Sequence, residues 1–186
     1  MAQTTKYLLF ESFRNLLKDR PLSKITITDI TDGVGVNRHT FYYHFKDLNG
    51  LLSWGFDSTL ERMLNLTSAG EDFAAGLKSL LEYAVSEKKF ILTIYHSDLR
   101  EHLERLIKDW TYRLVKDIVS TSARDIKLRE SDVDFIINFF KFGIGGLLVD
   151  WLDGGMMEPA EKISGHISTL VSGDFKDILE KFRQDK

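Results

Sequence analysis

Arg38, His39, Tyr42 and Tyr43 recur at three- and four-residue spacing, so on a helix they share one face. A guanidinium can fork onto a guanine edge, an imidazole can donate or accept according to its tautomer, and phenol hydroxyls reach phosphate oxygens. With Phe41 and Phe45 turned inward, that face suits DNA. On an isolated amphipathic helix such tyrosines are more often core-edge residues than ligands, so the surrounding elements must decide. Other chemistry lacks carriers. The chain has no cysteine, which removes disulfides, thiolate zinc sites and cysteine nucleophiles. No Ser-His-Asp set, phosphate loop or paired His/Glu metal motif can be read, and His96 and His102 are six residues apart, a poor spacing for a metal on one helix. The expectation is no enzyme, no metal and no cofactor.

The elements that must position this face are helical. The 186 residues carry 43% hydrophobic and 28% charged residues and a net charge of −3, the balance of an ordinary globule with room for a buried core. Only Pro21 and Pro159 interrupt long stretches of helical periodicity, which predicts an all-α fold. Ile25 to Thr28 alternates like a strand but is too short and has no partner run. The spacing predicts helices over Thr5–Asp19, Ile27–Val34, Asn37–His44 and Asp47–Leu66, a break at Ser68–Asp72, then helices over Phe73–Val85, Lys88–Tyr95, Asp98–Thr121, Asp132–Leu152, Pro159–Val171 and Asp174–Phe182. Thr26 and Asp29 form a capping-box pattern, and Gly35 suits a tight turn where left-handed backbone is cheap. Residues 26–45 thus read as a helix-turn-helix, with Ile27, Ile30 and Val34 meeting Val36, Phe41 and Phe45 under cover of the first helix. Residues 1–50 hold seven Lys and Arg against five Asp and Glu, +2, while the remainder holds 18 against 23, −5. So modest a basic bias predicts weak, salt-dependent nonspecific DNA affinity. No N-terminal run has the order of a signal peptide, and a cytoplasmic protein is expected.

Thr26-Ile27-x-Asp29-Ile30, then Gly35-Val36-x-x-x-Thr40-Phe41-Tyr42-x-x-Phe45-Lys46, then Leu51-Leu52, resembles the TetR family of transcriptional regulators over about the first quarter of the chain. Departures are Thr31 where alanine is frequent, Gly33 inside the first helix of the motif at a cost of ~1 kcal/mol, and His39 where glycine is frequent. The resemblance implies that the helix beginning at Asn37 enters the major groove, with Arg38 and His39 reading base edges. It implies phosphate contacts from Thr40, Tyr42, Tyr43 and Lys46, with Thr26 and Thr28 adding contacts from the start of the preceding helix and Lys24 a point charge. Thr26 is equally a plain helix cap, and His44 stands where the family carries a packed aromatic. The expected organisation is a DNA-binding domain over 1–48, a connecting helix over 47–66, and an effector-binding and dimerisation domain over 49–186.

Phe135 to Val149 is the most apolar stretch, interrupted by Asn138, Lys141 and then Asp150 before the roughly 20 apolar residues of a membrane span. It reads as a helix buried on every side, with Gly143, Gly145 and Gly146 admitting a neighbour closely. Gly143-Ile-Gly-Gly follows no strand and so is no dinucleotide loop. Phe140 to Met156 with Glu158-Pro159 resembles the TetR subgroup holding regulators of dihydroxyacetone-kinase operons. That resemblance implies a homodimer through helices 132–152 and 159–171, a palindromic operator in double-stranded DNA, and control by a small-molecule effector or a protein coregulator, with no membrane partner. An effector-released repressor is the leading expectation and a partner-controlled activator the alternative. Tyr83, Phe90, Tyr95, Trp110 and Tyr112 are the available effector contacts, though each is readily explained as core; Trp110 lies on the stripe Leu99, Leu103, Leu106, Ile107, Trp110, Leu114, Ile118.

Overall fold

The computed structural model describes residues 2–66, 73–172 and 175–183. Among them every regular element is helical: α1 (Ala2–Asp19), a 3-10 turn (Leu22–Lys24), α2 (Ile27–Asp32), α3 (Arg38–His44), α4 (Leu48–Leu66), α5 (Phe73–Ser86), α6 (Lys88–Tyr95), α7 (Arg100–Ser122), α8 (Glu130–Asp153), α9 (Ala160–Ser172) and α10 (Phe175–Lys181). The all-α expectation holds, and the Ile25–Thr28 alternation is a helix entry. The predicted break at 68–72 lies outside the described residues.

Contacts divide the chain into two compact units. The first comprises Met1–Ala69 and Ser86–Leu103, so α6 joins α1–α4. Its core includes Leu9, Phe10, Phe13, Leu17, Ile25, Ile30, Phe41, Phe45, Leu51 and Leu52, drawn from α1, the α1–α2 connection, α2, α3 with its C-cap, and α4, joined by Ile91, Ile94 and Tyr95 of α6. Rings lock edge to face, Phe10 against Trp54 and Phe90 at 6.3 and 6.0 Å, in the geometry favoured by their quadrupoles. α2 stops at Asp32, two residues before the predicted end, so Gly33 is a C-cap and not an interior residue. A Cβ there would lie 2.3 Å from Ser12 Oγ, and that hydroxyl donates to the Ile30 carbonyl at 2.9 Å. The glycine therefore lets α1 approach the end of α2.

The second unit comprises Gly70–Val85 and Glu104–Lys186. α7 buries Thr111, Val115 and Val119, while Leu106, Ile107, Trp110, Leu114 and Ile118 of the predicted stripe are only half-buried. The buried line is turned because Thr111 donates its hydroxyl to the Ile107 carbonyl at 2.7 Å, which satisfies it inside the core opposite Gly145. Of Gly143, Gly145 and Gly146, Gly145 alone faces a neighbour, and a Cβ there would make ordinary contact with Thr111 Oγ1 at 3.8 Å, so no close approach demands the glycine. α8 corrects the expectation of burial on all sides. Ile136, Ile137, Ile144, Leu148, Trp151 and Leu152 are buried, but Phe135, Phe139, Phe142 and Leu147 are exposed on another face. By length and composition α8 could cross a membrane, the one such helix among the described residues. It ends in Gly154, Gly155 and Met156, the last two left-handed, and the Trp151 indole N–H closes the exit on the Glu158 carbonyl at 2.9 Å.

Candidate nucleic-acid interface

Residue chemistry builds the α2–α3 segment from its caps. The Thr26 hydroxyl accepts from the Asp29 N–H at 3.1 Å and donates to its carboxylate at 2.6 Å, while the Thr26 N–H donates to that carboxylate at 2.8 Å. This reciprocal capping box starts α2. The Thr26 hydroxyl, then its backbone N–H, hold the Asp29 carboxyl below the usual aspartate range, and Arg20 at 3.3 Å adds to the effect. Gly35 takes φ 73° in the turn, where only glycine is unstrained, and the Val36 N–H donates back to the Thr31 carbonyl at 3.1 Å. Asn37 then caps α3, its Oδ1 accepting from the Thr40 N–H at 3.0 Å and the Thr40 hydroxyl at 3.1 Å.

Phe41 anchors the inner side of α3, fully buried, with Phe45 5.7 Å away centroid to centroid. Helical geometry then turns Arg38, His39, Tyr42 and Tyr43 outward, and all four are exposed, as is Lys46 just beyond the helix. Tyr43 is 83% exposed, far more than a core-edge tyrosine needs, and Tyr42 is 49% exposed. Arg38 Nη2 lies 3.5 Å from the Tyr42 hydroxyl, the outer limit of a hydrogen bond, so the guanidinium is loosely tethered. Thr40 is half-buried; Thr26 and Thr28 are exposed at the start of α2, and Lys24 is exposed just before it. His44 is half-buried, its ring 4.9 Å from that of Tyr43. Lys6 was not among the sequence candidates; its Nζ lies 5.7 Å from the centroid of the Phe45 ring. Nothing in the α1 pattern signals it, because the proximity arises from the α1 crossing. A short, two-sided helix with an aromatic inner face and a cationic, hydroxyl-rich outer face can offer hydrogen bonds to base edges and phosphates together.

The five aromatic effector candidates do not converge within either unit. Phe90 packs among Phe10, Phe13 and Phe56, and Tyr95 is fully buried with its hydroxyl accepting from Arg100 Nη2 at 2.7 Å, both in the first unit. Tyr83, Trp110 and Tyr112 are half-buried in the second. A cavity of about 360 Å³ between α8 and α9, lined by Leu147, Trp151, Met157, Ile163 and His166, includes none of the five. Neither does one of about 190 Å³ between α1 and α4, lined by Tyr7, Phe10, Glu11, Arg14, Trp54 and Gly55. Among the described residues no three His, Cys, Asp or Glu side chains cluster as metal ligands.

Comparison with known proteins agrees with the geometry. The TetR-type family model described as a transcriptional regulator C-terminal region matches residues 71–173. The chain is 27% identical over 174 residues to the dhaKLM operon transcriptional activator DhaS of Lactococcus lactis subsp. lactis, covering 92% of this chain and 91% of that one. It is 39% identical over 51 residues to the transcriptional regulator EthR of Mycobacterium tuberculosis, 27% of this chain and 22% of the relative. Among solved structures, the dihydroxyacetone kinase operon activator DhaS aligns with a TM-score of 0.72 at 20% identity, over 97% of this chain and 98% of that one. NalD, the secondary repressor of the MexAB-OprM efflux pump in Pseudomonas aeruginosa, aligns at 0.53 and 19% identity, over 99% and 98%.

Proposed function

Because the chain belongs to the TetR family of DNA-binding transcriptional regulators, which are not enzymes, we propose that it acts in the cytoplasm as a homodimer reading a palindromic operator through two copies of α3. The observation that carries this reading is the outward face of α3, with Phe41 locking its inner side. Arg38 and His39, at the N-terminal end of α3, take base edges; Thr40, Tyr42, Tyr43 and Lys46 hold phosphates. Thr26 and Thr28 add backbone contacts from α2. Asn37 uses its carbonyl oxygen as a cap, and its amide NH2 is the part offered to DNA.

The dimer reading is supported by the second unit. Phe135, Phe139, Phe142 and Leu147 of α8 and Leu170 of α9 are exposed, and a Cβ added at Gly143, Gly146 or Gly165 would meet nothing. Exposed apolar side chains of this kind on two helices call for a partner, and a second copy covers them isologously, which repeats the reading head about a two-fold axis. A covering copy, and not lipid, is the reading for α8. Domains then follow function, with 1–48 reading DNA, α4 connecting and the rest dimerising and sensing.

In the leading reading the dimer represses by occupying its operator and leaves when a small molecule binds the state with lower DNA affinity. The activator reading, answering to a protein coregulator, is favoured by the similarity to DhaS over 92% of the chain and by cavities that include none of the five effector candidates. Fluorescence anisotropy of the protein on its own upstream DNA and on an unrelated duplex, across a salt series, tests the DNA reading. Upstream-selective binding near physiological salt supports it, and equal, salt-fragile binding to both overturns it. Transcription in vitro from the same promoter with and without the protein then reads the sign.

A further inference from the structure

The first unit holds a junction that the sequence pattern does not announce. Arg14, near the middle of α1 and mostly buried, donates from Nη1 to Glu11 at 2.7 Å and from Nη2 to Glu87, the residue before α6. Its guanidinium also lies 5.9 and 5.6 Å from the Phe10 and Phe90 ring centroids. Phe90 stands edge-on to Phe10 and Phe13, and Lys89 Nζ donates to the Lys18 carbonyl at 2.8 Å near the end of α1. Residues 87–90 thus clasp α1, while α1 packs on α2. Chain connectivity adds the consequence. Segment Ser86–Leu103 belongs to the first unit, but the chain on either side of it, Gly70–Val85 and Glu104 onward, belongs to the second. Glu87 stands two residues after that crossing.

From this we infer that Arg14 is a positioning residue: by bridging Glu11 and Glu87 it ties α1 to the start of α6, and so fixes within the first unit the helix on which α2 and α3 are carried. The inference rests on the DNA-reading role of α3 and assigns its control to a pair remote from the interface. Arginine is required because its fork serves two carboxylates from separate nitrogens, whereas a lysine offers one point charge. Breaking the bridge loosens α1, and with it the α2–α3 pair that it carries, without touching α3.

The test uses the full-length protein with Arg14→Gln, Glu87→Gln, the double variant and Glu11→Gln, on the operator and on operators with one base pair added or removed between half-sites. Arg14→Gln and Glu87→Gln are each expected to weaken operator binding about tenfold and to flatten the dependence on half-site spacing. The double variant should be no worse than the weaker single, because both remove one bridge. Glu11→Gln, which keeps the Arg14–Glu87 contact and removes only the carboxylate within α1, should weaken binding less than Glu87→Gln does and keep the parent's spacing preference. Parent-like binding by Glu87→Gln overturns the inference. So does weaker binding with unchanged spacing preference and a parallel fall in melting temperature, which marks a merely structural pair. Should Arg14→Gln fail to fold, Glu87→Gln alone decides. Absence of operator binding by the parent would instead count against the DNA reading.

Discussion

Thr26 is a residue whose cap and whose candidate DNA contact use the same hydroxyl. That hydroxyl already accepts from the Asp29 N–H and donates its one proton to the Asp29 carboxylate, so it can donate to a phosphate only by turning that proton away from Asp29, and otherwise nearby Thr28 makes the contact. Thr26→Ala should cost about 1 kcal/mol of stability in chemical denaturation through loss of the cap, with operator affinity falling in step with α2 order. The Asp29 partner makes the cap sensitive to acid. Its carboxyl is held below the usual aspartate range, so its contribution is present above about pH 3.9 and is lost as pH falls below that into the folded-state range. Asp29→Asn should therefore flatten the acid limb of thermal melts below about pH 4. At α3, Arg38→Ala should cost about 1 to 3 kcal/mol of operator binding and relax one base preference. Lys46→Ala should weaken binding across sequences and reduce the salt slope by about one. A titration series in anisotropy separates the two outcomes. The cap residues and the exposed tyrosines were legible from spacing alone. The role of Gly33 was not, because its reason is Ser12 on another helix.

At the scale of elements, crossings are set where side chains are smallest. Gly55 on α4 is buried under Phe10 of α1, and a Cβ there would lie 2.1 to 2.4 Å from atoms of that ring. The ring is itself hemmed by Trp54 and Phe90 and has little room to retreat. Gly55→Ala should thus destabilise by about 1 to 3 kcal/mol in denaturant titration, with part of the loss recovered when Phe10→Leu is added. Between α7 and α8 the approach is looser, since a Cβ at Gly145 would meet Thr111 Oγ1 at 3.8 Å, an ordinary contact. Periodicity located every described helix, with α6 matching at both ends and α2 stopping two residues early. It misplaced the buried line of α7, because a hydropathy pattern ranks threonine as polar and cannot see that the Ile107 carbonyl satisfies it.

For the whole molecule, the exposed stripe on α8 and α9 is the feature with the largest predicted effect. Phe139 is 64% exposed and Leu170 67%, so a charge at either site costs little in the single chain but lies in the proposed interface. Phe139→Glu or Leu170→Asp should give a folded monomer by light scattering, with operator affinity reduced at least tenfold because the two-fold pairing of reading heads is lost. A dimer that survives both changes would place the interface elsewhere. The sequence by itself determined the helical class, the capped helix-turn-helix and its outward residues, because these depend on neighbours within about four positions along the chain. Only the tertiary structure decided that α6 belongs with the reading head, that Arg14 meets Glu87, that Gly33 and Gly55 are close-approach points, and that one face of α8 is open. Those facts depend on residues brought together across many positions, and a local pattern carries no record of which distant side chain will be the neighbour.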